Sequence, residues 1–69
     1  MHKRNNWYAV TNDDDCDWGI GSFNWREAVK MANQMGCKEI AEIDGNYNRQ
    51  GEPTTDAICV AVYHKGEDF

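Results

Sequence analysis

The chain has 69 residues and a net charge of −5 at pH 7, because 12 acidic side chains outnumber seven basic ones. A chain of this length forms one domain. Its acidic balance disfavours direct nucleic-acid binding, which relies on a basic surface, and adhesion to anionic membranes. The longest apolar run, residues 57–63, is too short to cross a bilayer. We therefore expect a small, acidic, non-membrane globular domain.

The cysteines bear on the cellular compartment. There are three, Cys16, Cys37 and Cys59, and no pair has C-x-x-C spacing. A secreted domain this small usually depends on several disulfides or a metal. The odd number, and a polar segment after Met1 that does not resemble a secretion signal, predict a reducing cytoplasmic location. Cys37 and Cys59 lie in apolar stretches, so we expect both to be small core residues.

The first half of the chain predicts a strand, an acidic loop and a helix. Residues 7–11 are rich in aromatic and β-branched side chains, which favour a strand. An acidic loop follows as far as residue 21. Asn24, with Glu27 three residues on, predicts a helix N-terminus, with Ser22 as a competing cap. Gly36 predicts its end. One apolar stripe follows the helical period: Trp25, Ala28, Val29, Met31, Ala32 and Met35.

The second half predicts two further strands. Residues 37–44 form the second predicted strand, 45–55 a polar loop and 56–64 the third strand. Residues 1–6 are expected to be a flexible lead and 66–69 a tail. The third strand is the most apolar, so we expect it at the centre of the sheet. The predicted fold is an α+β two-layer β-α-β-β sandwich. Its three-stranded antiparallel sheet has the spatial order 1-3-2, with one helix on one face.

In this fold no part of the chain covers the second face of the sheet. Alternation along the third strand places Ile58, Val60 and Val62 on one side and Cys59, Ala61 and Tyr63 on the other. One of these rows faces away from the helix. An exposed apolar row often marks an interface, so a homodimer through the open face is one interpretation. A small face partly covered by Tyr and Trp is the other.

The sequence does not predict an enzyme. A nucleophile would need a nearby base, and the two histidines are His2, in the lead, and His64, at the end of the third strand. Cys59 and His64 point to opposite faces of a strand. No phosphate-binding, hydrolase or zinc-protease motif is present. We therefore expect no catalytic residues, no bound metal and no cofactor.

The acidic loop is the first candidate site. It contains Asp13, Asp14, Asp15 and Asp17, next to Trp18. The Asp-x-Asp-x-Asp spacing suggests a calcium loop, but the required Gly and Glu positions hold Trp18 and Asn24. The loop is therefore either a solvated acidic segment or a patch for a basic partner. Trp18 is either an exposed anchor for that partner or a lid over the helix N-terminus.

A second group of carboxylates surrounds the second predicted strand. Glu39, Glu42 and Asp44 belong to it, and Arg49 is the only opposing arginine or lysine between residues 39 and 64. Together with the loop, these residues predict an acidic surface that can occupy a site which normally holds nucleic-acid phosphates. The alternative is that the charge only maintains solubility. The predicted partner is a protein with a basic surface, without direct nucleic-acid or membrane contact.

Three segments resemble small proteins of Firmicutes and their phages. They are the W-Y-A-V strand, the D-D-x-D-W-G-x-G-S loop and the E-A-V-K-M-A helix, all within residues 7–44. In size, charge and composition the chain is similar to anti-CRISPR and other small anti-defence proteins. This resemblance implies a non-catalytic inhibitor of a nucleic-acid-handling protein such as a CRISPR effector. The alternatives are a dimeric regulatory module and a small calcium-binding module.

Overall fold

The computed structural model describes residues 6–12, 19–45 and 57–69, which form four strands and one helix. Their bounds are β1 Trp7–Thr11, β2 Gly21–Ser22, α1 Trp25–Met35, β3 Glu39–Asp44 and β4 Ile58–His64. The α+β class, the single helix and the antiparallel sheet are confirmed for these residues. The predicted bounds of β1 are also confirmed, whereas β3 and β4 each begin two residues later than predicted. The two-residue strand β2 was not predicted.

The helix begins and ends at the predicted residues. Asn24 has an extended backbone, and its side-chain oxygen accepts a hydrogen bond from the Glu27 backbone N–H at 3.1 Å. Ser22 contributes as well, because its hydroxyl accepts a bond from the Asn24 N–H at 3.1 Å. Gly36 adopts the left-handed conformation with φ 71°, and its N–H donates to the Ala32 carbonyl. These bonds satisfy groups that a helix end leaves without partners.

The order of the strands in the sheet is β2-β1-β3-β4, and every neighbouring pair is antiparallel. The predicted order 1-3-2 is therefore wrong, since the last strand lies at an edge and β3 pairs directly with β1. The reason lies in the path before the helix. Strand β2 runs back along β1, with Ser22 opposite Tyr8, so the helix begins near the start of β1. The chain then enters β3 antiparallel to β1 instead of parallel to it.

Both faces of the central strands are buried. On the helix side, Val10 and Ile40 form a cluster with Ala28, Ala32 and Cys37, which confirms the predicted burial of Cys37. The opposite side holds a second cluster, comprising Trp7, Ala9, Ala41, Ile43 and Ala57, with Phe23 packed against it. The Trp7 and Phe23 rings meet edge to face at 4.8 Å. The side of the sheet away from the helix was predicted to be open, but this second cluster buries it at β1 and β3.

Exposure of apolar side chains is concentrated at β4. Ile58, Val60 and Val62 are 60%, 49% and 45% exposed. Among the described elements, the backbone of α1 lies near β1, β2 and β3, whereas β4 pairs with β3 and meets the helix through the Tyr63 and Trp25 rings. The prediction that Cys59 is a core residue is wrong, because its strand lies at the edge and the thiol is exposed. In the part of the chain that the structure describes, no helix has the length and apolar character of a membrane span.

Candidate partner-binding surface

The predicted site residues fall into two groups in the structure. Five of them, Asp13, Asp14, Asp15, Asp17 and Trp18, lie outside the described residues. The other three are in β3, where alternation places Glu42 and Asp44 on one face and Glu39 on the other. The five residue steps from Glu39 to Asp44 span about 17 Å along the strand. The structure therefore does not bring Glu39, Glu42 and Asp44 together as one patch.

The end of the sheet near Thr11 collects several acidic groups. Glu39 lies opposite Thr11 on one side and opposite His64 on the other. The Asn12 side-chain oxygen accepts a hydrogen bond from the Lys38 backbone N–H at 3.1 Å, which fixes the last described residue before the four aspartates. The Glu39 carboxylate lies 3.5 Å from Nδ1 of His64 and is largely buried. The point where the chain enters residues 13–18 is thus held beside Glu39.

The C-terminal residues turn back onto the same end of the sheet. The Asp68 carboxylate accepts a hydrogen bond from the His64 backbone N–H at 2.8 Å. The His64 carbonyl in turn accepts bonds from the backbone N–H groups of Glu67, at 3.1 Å, and Asp68, at 2.8 Å. This turn places Glu67 and Asp68 at the same end as Glu39. We call Asn12, Glu39, Glu67 and Asp68 the acidic end of the sheet.

An aromatic cluster on the helix side holds this turn in place. Trp25 is at its centre and meets Tyr8, Tyr63 and Phe69 edge to face at 5.3, 4.9 and 6.1 Å. The sequence offered no signal for the position of Phe69, the last residue of the chain, because its contact with Trp25 depends on the path of the turn. Contacts of this kind add to the area that the rings bury. They tie the acidic end to the core.

Glu42 acts inside the fold. Its two carboxylate oxygens accept hydrogen bonds of 2.6 Å, one from the Tyr63 hydroxyl and one from the Asn6 side-chain amide. The bond from Tyr63, with burial and the Glu42 charge, raises the pKa of Tyr63 to about 12. Burial and the same charge raise the pKa of Tyr8. The Glu42 carboxylate therefore has partners within the chain, and it helps to hold the Tyr63 side chain of β4 on the helix side of the sheet.

The register of β4 shows which backbone groups face the open edge. The Lys65 N–H donates to the Lys38 carbonyl at 2.9 Å, a bond that flanks the Glu39–His64 pair. In an antiparallel ladder, pairs that exchange hydrogen bonds alternate with pairs that do not. Because Lys38 and Lys65 are hydrogen-bonded, Glu39–His64 and Ala41–Val62 are pairs without backbone hydrogen bonds between their two members. The backbone groups of His64 and Val62 point away from β3, and the terminal turn occupies only those of His64.

The exposed part of β4 is apolar and uncharged, and an acidic residue lies near each of its two ends. Residues 58–63 carry no formal charge at pH 7. Asp44 lies opposite Ile58 at one end of the strand, and Asp68 binds His64 at the other. A register shift opposite Glu42 and Ile43 interrupts the ladder near Val60. The shift places Ile58 opposite Asp44 and Val62 opposite Ala41, so these two side chains lie on opposite faces and the predicted single row is wrong. Sequence reasoning also missed the edge, because the pattern of an edge strand with an apolar run resembles that of a central strand.

The described residues contain no cluster of three or more metal-ligating side chains. No protein-family model matches the chain. Searches of curated proteins and of solved structures likewise returned no match. The function must therefore be inferred from the chemistry of the acidic end and of β4.

Proposed function

We propose that this chain is a non-catalytic binding protein that inhibits a nucleic-acid-handling protein, such as a CRISPR effector, by occupying its basic surface. The observation that carries the proposal is the composition of the acidic end. Three carboxylates, Glu39, Glu67 and Asp68, lie at the point where the chain enters the segment with four further aspartates, and together they outnumber Lys38 and Lys65 at the same end. A surface with an excess of one sign attracts a partner of the opposite sign and speeds its association.

The rigidity of this end supports the proposal. Asn12 is bonded to Lys38, next to the start of β3, and the terminal turn is bonded to His64 and packed on Trp25. Preorganised charges avoid part of the ordering cost that binding otherwise requires. An acidic surface held on a sheet can therefore compete with a flexible phosphate backbone for the same cleft. A cytoplasmic location belongs to this proposal, since effectors of this class act there.

The experiment measures inhibition directly. A panel of purified CRISPR effectors binds labelled nucleic acid in the presence of increasing amounts of the protein, followed by fluorescence anisotropy. We expect at least one effector to lose nucleic-acid binding, and the inhibition to weaken steeply as salt rises. If no effector is inhibited at any ratio of the two proteins at low salt, this class of partner is wrong.

Matched variants then locate the surface. Asp14→Asn changes the net charge by the same amount as Glu27→Gln. Glu27 is in the first turn of the helix, near the start of β1, and so lies at the other end of the sheet from the acidic end. We expect the first variant to weaken inhibition more than the second. Equal effects would mean that only net charge matters. Trp18→Ala tests the predicted anchor, whose loss costs about 2 kcal/mol of binding if it is a hot spot.

A further inference from the structure

We propose that β4 is a docking edge that accepts an extended segment of the basic partner as an additional strand of the sheet. The segment has alternating apolar residues and is flanked by Lys or Arg. This inference rests on the proposed function, because it takes the basic partner from there and states how part of it binds. The mode is strand addition, in which main-chain hydrogen bonds supply affinity and alternate side chains supply specificity.

The first support is the state of the backbone at this edge. No described strand lies beyond β4 in the sheet. The outward groups of His64 are already bonded to the terminal turn, which limits the edge at that end. The outward groups of Val62 have no partner among the described residues. Unpaired edge groups of this kind are a template for another chain.

The second support is the lack of protection along the strand. Edge strands are commonly protected by inward-pointing charges, lysines or prolines. Residues 58–63 contain none of these, and three of their apolar side chains are about half exposed or more. The register shift near Val60 is a protective feature of the strand, as is the terminal turn at His64. An apolar centre with a polar rim is the usual layout of a protein interface.

The carboxylates near both ends of β4 favour a basic segment as the partner strand. Asp44 flanks the exposed residues at one end, and at the other Asp68 and Glu67 outnumber Lys65. An incoming strand with basic flanks would place opposite charges at both ends. A second copy would bring the same carboxylates and a net charge of −5 to the contact. Like charges across an interface disfavour association, so a basic segment fits this edge better than a second β4 does.

The position of β4 also fits a continuous interface with the acidic end. Strand β4 ends at His64, which contacts Glu39 and Asp68 of the acidic end, and lies two strand spacings from β1, about 10 Å. A partner that covers the acidic end can therefore reach along β4 without a gap. Strand addition would extend the proposed contact from charge recognition to main-chain hydrogen bonds.

The test uses a short synthetic peptide of alternating Thr and Val with two Lys at each end. Its binding to the full chain is measured by fluorescence anisotropy, and the amide signals of β4 are followed by NMR. We expect saturable binding that weakens with salt and shifts the amide signals of residues 58–63. Two control peptides are matched to it: one with Glu in place of Lys, and one N-methylated at every Thr and Val, because each edge of an extended peptide presents the N–H groups of alternate residues. Each control is expected to bind about tenfold more weakly or worse.

Variants of Val62 test the edge from the protein side. Val62→Pro removes an N–H that points outward, so the ladder to β3 keeps its hydrogen bonds. Val62→Thr keeps the N–H and the branched shape. We expect the first variant to lose about tenfold in peptide affinity and the second to stay within about threefold. Circular dichroism establishes that both are folded, and the N-methylated peptide tests the same hydrogen bonds without changing the protein.

Four results would overturn the inference. They are no binding of the Lys peptide at millimolar concentration, equal binding of the Glu peptide, equal binding of the N-methylated peptide, and a doubled mass in light scattering that Val62→Pro abolishes. The last result would assign the edge to a second copy of the chain. The peptide assay contains no effector, so peptide binding without inhibition of any effector refutes the proposed function alone. Inhibition without peptide binding refutes the strand addition alone.

Discussion

Strands β3 and β4 contain similar apolar side chains with opposite fates. In β3, Ile40 and Ile43 are fully buried. In β4, Ile58, Val60 and Val62 are about half exposed, although β4 has the longer apolar run. The difference comes from position, since β3 has a strand on each side and the helix above it, whereas β4 has one neighbouring strand among the described residues and meets the helix through Tyr63. A single residue type therefore stabilises the fold in one strand and is available for binding in the other.

The largest expected effect comes from placing the same charge in both strands. Ile40→Asp puts an unpaired carboxylate among Val10, Ala28 and Ala32, at a cost on the order of 5 kcal/mol, comparable to the stability of a small domain. Val62→Asp puts it at an exposed position, where we expect a change within about 0.5 kcal/mol. Circular dichroism and thermal melting measure both. A folded Ile40→Asp variant, or an unfolded Val62→Asp variant, would contradict the contrast between the strands.

At the opposite edge of the sheet, β2 packs closely against β1, and Gly21→Ala tests this packing. Gly21 in β2 lies directly against β1: an added Cβ would overlap the Tyr8 carbonyl oxygen and lie 2.8 Å from the Ala9 Cα. Relief of this overlap requires β2 to shift, at a cost of about 1–3 kcal/mol. Urea denaturation measures the loss. An unchanged midpoint would mean that β2 does not close its edge by close packing, and that both edges are open.

The helix packs along β1 and β3, and this cover is what β4 largely lacks. The N-cap of the helix is therefore the next test. Asn24→Ala removes the acceptor of the Glu27 N–H, and we expect a loss of about 1 kcal/mol in the free energy of unfolding. The matched control is Asn33→Ala, the same change at an exposed position within the helix, where Ala is the better helix former. Chemical denaturation compares the two. Equal effects would mean that Asn24 does not act as the cap.

The smallest effect concerns the bond between β4 and the central strand at high pH. The pKa of Tyr63 is about 12 in the folded chain and 10.0 ordinarily, so the folded state binds this proton more tightly. The resulting stabilisation is fully present below pH 10 and is lost as pH rises towards 12. We expect Tyr63→Phe to lose less stability than the parent over this range. Denaturation at several pH values measures it, and parallel curves for both proteins would contradict the assignment.

Much of the local structure could be predicted from sequence. The β1 residues, the cap at Asn24, the stop at Gly36 and the helix face with Ala28 and Ala32 follow from short-range patterns that the structure confirms. The candidate site was harder to predict from the sequence. Glu39 and Glu42 belong to one acidic group in the sequence, but an odd separation in a strand sends them to opposite faces. Glu42 then bonds within the fold, a role that depends on Tyr63, 21 residues away.

The acidic charge, the helix and the three longer strands could be read from the sequence, because they depend on composition and on periods of two or 3.6 residues. Tertiary structure alone decided the sheet order. Strand β2 returns the chain along β1 before the helix begins, so β3 enters at the centre and β4 is left at the edge. Two-residue strands have too little pattern to be recognised in a sequence. The exposure of β4, and with it the proposed docking edge, depends on that short strand.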